Sequence, residues 1–358
     1  MIGAPPARRV LPREPVKSYQ LHSADRRQAL FAQLSPRVWL ENDLLRAWVI
    51  TDPAVILRVL RSPLAIVSSL TDVMKAIKEN YGTELPNVAY ACSVLPLLVA
   101  DEAHPAARKG FATFLAARLA ELEGELPELS KACLSPLSRP GRVDIVSEVV
   151  DPFIHRVFSV FLQCDLPAEF LAMHVGDILS FNTNLARLKS LEARIAKTLA
   201  FLRATTPNEA DIAWKFTCLV FGLDSLAMML TESIVTATGG ASAHPEGIRL
   251  PQFPIETGVP VTFRRAKADF EMDGCSFKAG DLIRLQLQAF GYSDLAEHRN
   301  FIFGAGMHSC VGKQLSLRIW DSFKREFDRL DLKAGITDYQ LMPSHFIILH
   351  KLVEVDVR

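Results

Sequence analysis

The 358-residue chain carries 40 basic and 40 acidic side chains, giving zero net charge, and 49% of it is hydrophobic. The charge balance provides no global attraction for nucleic acid, and the apolar fraction supports a sizeable core. No run reaches the roughly 18 uninterrupted apolar residues of a membrane-spanning helix.

Residues 1–20 are basic and proline-rich, without the apolar stretch of a signal peptide, and are expected to form a loosely held arm before a single domain over residues 21–358. Val38-Trp39-Leu40 and Ala47-Trp48-Val49-Ile50 have strand character. Thr51-Asp52-Pro53 then supplies a cap and a first-turn proline for a helix over Ala54–Leu60. Apolar residues at three- and four-residue spacing predict helices over 106–123, 143–163, 186–203 and 210–235. Proline and glycine break the pattern over 239–260. Strands follow at Val261–Arg265, Phe270–Met272 and Leu282–Leu287, with turns at Asp273-Gly274 and at Lys278–Asp281. A last helix is expected over Gly312–Leu330, then a hairpin or strand pair within Phe346–Val357. The fold class is mainly α, with small β-sheets gathered toward the C-terminal half.

The six cysteines, Cys92, Cys133, Cys164, Cys218, Cys275 and Cys310, form no C-x-x-C pair and no disulfide framework. A reduced, cytoplasmic setting is the expectation. Five of them read as small hydrophobes. Cys310 differs, because it lies in Phe303-Gly-Ala-Gly-Met-His-Ser-Cys-Val-Gly312. Gly304 and Gly306 permit a tight loop, which presents Cys310 just before a helix start. A thiolate there can accept backbone N–H bonds that lower its pKa and tune a bound metal. Gly312 leaves room for a flat ligand at the helix start. Two other readings remain: a structural cysteine in a glycine-rich turn, or a zinc site with His308, which lacks two further ligands.

The loop resembles the haem-binding signature of the cytochrome P450 family, F-x-x-G-x-[HR]-x-C-x-G, whose fixed places are filled by Phe303, Gly306, His308, Cys310 and Gly312. The resemblance implies haem b, with Cys310 as axial ligand, Phe303 beneath the sulfur and His308 at a propionate. It also implies a haem held between a long central helix and the helix after the cysteine loop. His104 and Arg108, one helical turn apart on one face, resemble the family's H-x-x-x-R propionate clamp. Arg264, in the stretch Arg264-Arg265-Ala266-Lys267-Ala268-Asp269-Phe270-Glu271, resembles its R-x-A-x-x-D-x-E propionate arginine.

Gly222, Asp224 and Ser225 interrupt an apolar helix and resemble the oxygen-activating [AG]-G-x-[DE]-T pattern, with serine for threonine and Phe221 at a small-residue position. In that register the glycine widens the helix beside dioxygen, and the acid and alcohol deliver protons. The family's E-x-x-R helix has no good counterpart. Glu246-Gly-Ile-Arg249 has the letters but lies far before Arg264 with glycine inside it, and Glu256 is followed three residues on by Val259. The segment before the cysteine loop is also short.

The resemblance implies a monooxygenase that inserts one oxygen atom into a small hydrophobic substrate, such as a terpenoid, fatty acid or polyketide-like product. Electrons would come from a ferredoxin- or flavodoxin-type donor, docked on a basic patch of Lys109, Lys313 and Arg318. No membrane anchor is expected. The substrate pocket is expected to draw on residues 72–100 (Val88, Tyr90, Leu95, Leu97, Leu98), which equally suit a core. A peroxide-driven haem enzyme and a non-catalytic haem-binding protein are the alternatives.

Overall fold

The computed structural model describes residues 37–41, 46–67, 78, 79, 82–95, 104–172, 185–239, 247–255, 257, 259–291, 293, 295–342 and 349–358. The expected arm over residues 1–20 lies outside them, as do Leu97, Leu98, Glu246 and Glu256. The chain divides into two compact units, one built from Met1–Ser68 and Val259–Ser309, the other from Ser69–Gly258 and Cys310–Arg358.

The first unit is built on a five-stranded sheet. Its strands are β1 (Arg37–Glu41), β2 (Arg46–Ile50), β3 (Ala65–Ile66), β5 (Val261–Ala266) and β8 (Leu282–Gln286), in the order β1-β2-β8-β5-β3. β8 lies parallel to β2 and antiparallel to β5. Strands from both ends of this unit's sequence thus share one sheet, so the β structure is not confined to the C-terminal half. Helix α1 (Pro53–Arg61) starts as its sequence dictates: Asp52 Oδ1 accepts from the Val55 N–H at 3.0 Å, and proline occupies the first turn, where its missing N–H is not needed. Its buried face carries Val55, Ile56, Val59 and Leu60. β6 (Phe270–Met272) and β7 (Cys275–Phe277) form a hairpin through Asp273 (φ 52°) and Gly274 (φ 71°). Both φ values are positive, as a two-residue turn matched to strand twist requires.

The second unit is mainly helical. It comprises α2 (Pro86–Val94), α3 (His104–Leu122), α4 (Leu126–Cys133), α5 (Asp151–Leu162), α6 (Leu185–Thr205), α7 (Glu209–Gly239) and α8 (Lys313–Arg329). A three-stranded sheet, β4-β10-β9, is formed by β4 (Gly141–Asp144), β9 (Ala334–Met342) and β10 (Leu349–Val357). The helix expected over 143–163 instead begins as β4, passes through a π-turn at Ile145–Val150 and becomes α5. Val143, Ile145, Val149 and Val150 are apolar and buried in either conformation, so periodicity could not separate strand from helix. The C-terminal strand pair likewise starts earlier than expected, at Ala334. Tertiary pairing with β10 decides that boundary: β9 is half-exposed and shows no alternation.

The core of this unit is aromatic. Phe153 of α5 and Phe323 of α8 approach to 5.0 Å between ring centres, and Trp320, Phe158, Phe161 and Phe327 are fully buried. Each such side chain contributes roughly 2 kcal/mol of burial. α2 is fastened to α6 electrostatically, through Glu192. Its carboxylate accepts from the Asn87 and Val88 backbone N–H groups at 2.9 Å, satisfying orphan donors at a helix N-terminus. Val88 and Leu95, weighed as pocket residues, are buried core, while Tyr90 is half-buried.

α7 is long and apolar enough to cross a membrane by length and composition, but most of its apolar stretch is buried inside the protein. Residues 247–250 are not helical, so Glu246-Gly-Ile-Arg249 is not a helical E-x-x-R motif.

Candidate functional site

The chain passes from the first unit into the second at Ser309–Cys310, inside the glycine-bounded loop. Gly304 and Gly306 adopt φ of 75° and 70°, the left-handed region that ordinary residues avoid. Gly306 is doubly required, since a Cβ there would lie 2.5 Å from the Leu60 carbonyl oxygen at the end of α1. Contact with α1 therefore helps fix the loop. Phe303 is buried and His308 is half-buried in the same unit.

On the other side of the junction, the sulfur of Cys310 accepts hydrogen bonds from the backbone N–H groups of Gly312 and Lys313. These donors stand at the start of α8, where N–H groups have no partner within the helix. They lower the thiol pKa, as do the nearby positive charges of Arg108 and Lys313, but desolvation outweighs them and the thiol sits above its ordinary value. Cys310 is nonetheless exposed to water-sized contact. Its surface is reachable, while the protein around it still depletes bulk solvent, so we take the exposure for access and the crowding for the pKa direction. A metal ion at this sulfur would deprotonate it outright. The other free cysteines are buried or half-buried, and burial pushes the Cys92 thiol up to about 11, where it is inert.

His104 is buried at the start of α3, and Arg108 lies half-buried one turn on, on the same face. Arg264 is only 3% exposed. Its Nη1 donates to Thr262 Oγ1 at 3.2 Å and to the Phe263 carbonyl at 2.7 Å, and no carboxylate pairs with it. Desolvation pushes its guanidinium down to about 10. A buried cation without a counter-charge fits an anionic ligand group. Together with a reachable cysteine whose sulfur already receives two N–H donors, the donor set fits a metal-bearing group with acidic substituents.

Three comparisons bear on the assignment. No family model matches the chain, and no curated protein matches it in sequence. Solved structures do match. P450BioI, solved with an acyl carrier protein bearing hexadec-9Z-enoic acid, superposes with a TM-score of 0.75 at 14% identity, covering 95% of this chain and 100% of that one. Cytochrome P450-153 from Novosphingobium aromaticivorans gives 0.74 at 17%, covering 96% and 99%. CalO2 gives 0.73 at 16%, covering 94% and 98%.

The fold is that of the cytochromes P450.

Within that P450 fold, Asp224 and Ser225 lie side by side on α7 but point roughly 100° apart. Ser225 is half-buried. Asp224 is buried and lines a cavity of about 90 Å³ whose other walls come from α5, the π-turn, β9 and β10. Gly222 does not open the helix, because α7 is continuous α-helix there. Its missing side chain is used instead by Phe158 of α5, whose Cζ would lie 2.6 Å from a Cβ. Arg318 of the expected basic patch is paired with Glu123 at 3.2 Å, which reduces the charge available to a partner.

Two features were missed in the sequence. Arg284, in the otherwise apolar β8, has a buried Nε without a partner and is pushed down to about 10 by desolvation. Since Arg264 stands opposite Ile283 and Arg284 opposite Phe263, the two arginines leave the sheet on opposite faces. An arginine inside Leu282-Ile283-Arg284-Leu285 was the available signal. The second is a buried pair between His350 and Glu232, for which no local signal exists.

Proposed function

We propose that the chain binds haem b through the Cys310 thiolate and is a monooxygenase that inserts one oxygen atom into a small hydrophobic substrate. A fatty-acyl-like molecule is among the candidates. The observation that carries this reading is the Cys310 sulfur, held by the Gly312 and Lys313 N–H groups beside Arg108, on a P450 fold. Haem, when bound, would supply the redox iron at which dioxygen is activated.

The chain's own residues would then act as follows. Cys310 Sγ donates electron density, moderated by its two N–H bonds. Arg108, His104, Arg264 and His308 balance propionate charge, and Gly304, Gly306 and Gly312 shape the loop beneath the ring, with Phe303 as its apolar floor. Ser225 Oγ and the Asp224 carboxyl hold and move protons on α7, while the helix's apolar side chains exclude water. Electrons come from a ferredoxin- or flavodoxin-type donor in a reduced, cytoplasmic setting.

The test is a reduced carbon monoxide difference spectrum of the purified, haem-loaded protein. A strongly red-shifted Soret band is expected, and Cys310→Ala should abolish it. A wild-type protein lacking the band, or a variant keeping it, overturns the reading. The non-helical Gly247–Leu250 segment favours a second reading, peroxide-driven turnover without a reductase. Product formed with hydrogen peroxide but not with a reductase system would select it.

A further inference from the structure

The cavity beside Asp224 is lined by Val146, Ile154, Leu223, Ala227, Met228, Met342 and Leu349, with Asp151, Asp224, Thr231 and His350 as its polar members. His350 is 8% exposed, and its Nε2 lies 2.7 Å from Glu232 Oε2, with both side chains buried. A carboxylate accepts, so Nε2 carries the proton and donates. His350 Nδ1 is buried and has no partner. A proton there too would bury a second N–H without an acceptor, whereas the neutral ring presents a lone pair.

The cavity therefore faces its contents with acceptors: two carboxyl groups, an imidazole lone pair and a threonine hydroxyl that works either way. Acceptors call for donors, carboxylates call for positive charge, and the Leu, Met, Val and Ile walls call for a short apolar body. A volume of about 90 Å³ suits several waters or an amine of about two or three carbons. Among the described residues no group of His, Cys, Asp and Glu is arranged to hold a metal ion, which points away from a bare divalent cation.

We infer that this cavity is a binding site for a small primary alkylammonium, whose N–H donors engage Asp151, Asp224 and His350 Nδ1. The site is independent of haem and would hold Asp224 as a carboxylate when filled.

The test is a titration of the full-length protein with ethylammonium chloride, reading the His350 imidazole resonances by NMR, with ethanol and ethanesulfonate as neutral and anionic comparators. His350→Gln assigns the signals. A saturable shift with ethylammonium alone is expected, at least tenfold weaker in Asp151→Asn, with Thr231→Val as a second variant should the first fold poorly. An equal response to ethanol, or no saturable response, means that the cavity holds only water and overturns the inference. Neither outcome bears on the thiolate reading, since the titration is run both with and without haem.

Discussion

Replacing Arg264 with methionine separates what the folded chain tolerates from what a bound anion requires. Desolvation alone lowers this guanidinium to about 10. At about 1.4 kcal/mol per tenfold change, its burial opposes folding by roughly 3 kcal/mol. Methionine removes that penalty but also forfeits the bonds to Thr262 Oγ1 and the Phe263 carbonyl, at about 1 kcal/mol each. Arg264→Met should therefore stabilise the haem-free chain by about 1 kcal/mol in urea unfolding, while weakening haem binding at least tenfold in a Soret titration. The pH dependence has a definite sign. The unfolded chain holds this proton more tightly, so the penalty is constant well below pH 10 and is relieved as pH rises through about 10. The stability gap between the two proteins should narrow there. A variant that is less stable without haem and binds haem as well as wild type would refute the argument.

Gly306→Ala must enter a left-handed φ and displace the Leu60 carbonyl; a loss of about 2 kcal/mol or more is expected, and a change under about 0.5 in urea unfolding would mean that the loop yields. Gly222→Ala gains about 1 kcal/mol of helix propensity but drives a methyl into Phe158, a contact that costs about 1–3 kcal/mol. Net destabilisation in thermal unfolding is expected, and stabilisation would show that the glycine is not there for packing. Glu232→Leu leaves His350 buried without its acceptor, so a loss of about 3 kcal/mol is expected. The Glu232→Leu/His350→Leu double variant should recover part of it, and simple additivity in a double-mutant cycle would refute the coupling.

What was legible in the sequence is what is decided locally. The Asp52-Pro53 start of α1, the Asp273-Gly274 turn and the glycine-bounded cysteine loop each follow from the conformational demands of a few adjacent residues. The expectation that backbone N–H groups meet the Cys310 sulfur follows from a helix beginning two residues later. The illegible parts are long-range. Glu232 and His350 lie 118 residues apart, and nothing in either neighbourhood requires the other. Gly222 read as an opening in α7 because the partner that fills its space, Phe158, sits on a different helix. The β4 to α5 transition hid inside a continuous apolar run, where both conformations bury the same side chains.

The missing E-x-x-R helix has a physical substitute in the second unit. The segment after α7 turns onto the far end of α8: the Ile248 N–H donates to the Leu332 carbonyl at 2.7 Å, and the Leu250 N–H to Asp328 Oδ1 at 3.1 Å. Arg249 donates to the Asp328 carbonyl at 2.5 Å and to Asp331 Oδ1 at 2.8 Å. The last carbonyls of a helix lack internal partners, and a guanidinium there also opposes the negative end of the helix dipole. Arg249 thus does for the C-terminus of α8 what a capping residue does. Its ion pair is exposed and contributes little by itself, but the neighbouring backbone bonds fix the segment's register. α8 is a single 17-residue helix, and its N-terminal N–H groups are the donors to Cys310. Fastening the far end of a rigid helix limits how far those donors can swing, so the thiolate's hydrogen bonds are braced through α8 itself.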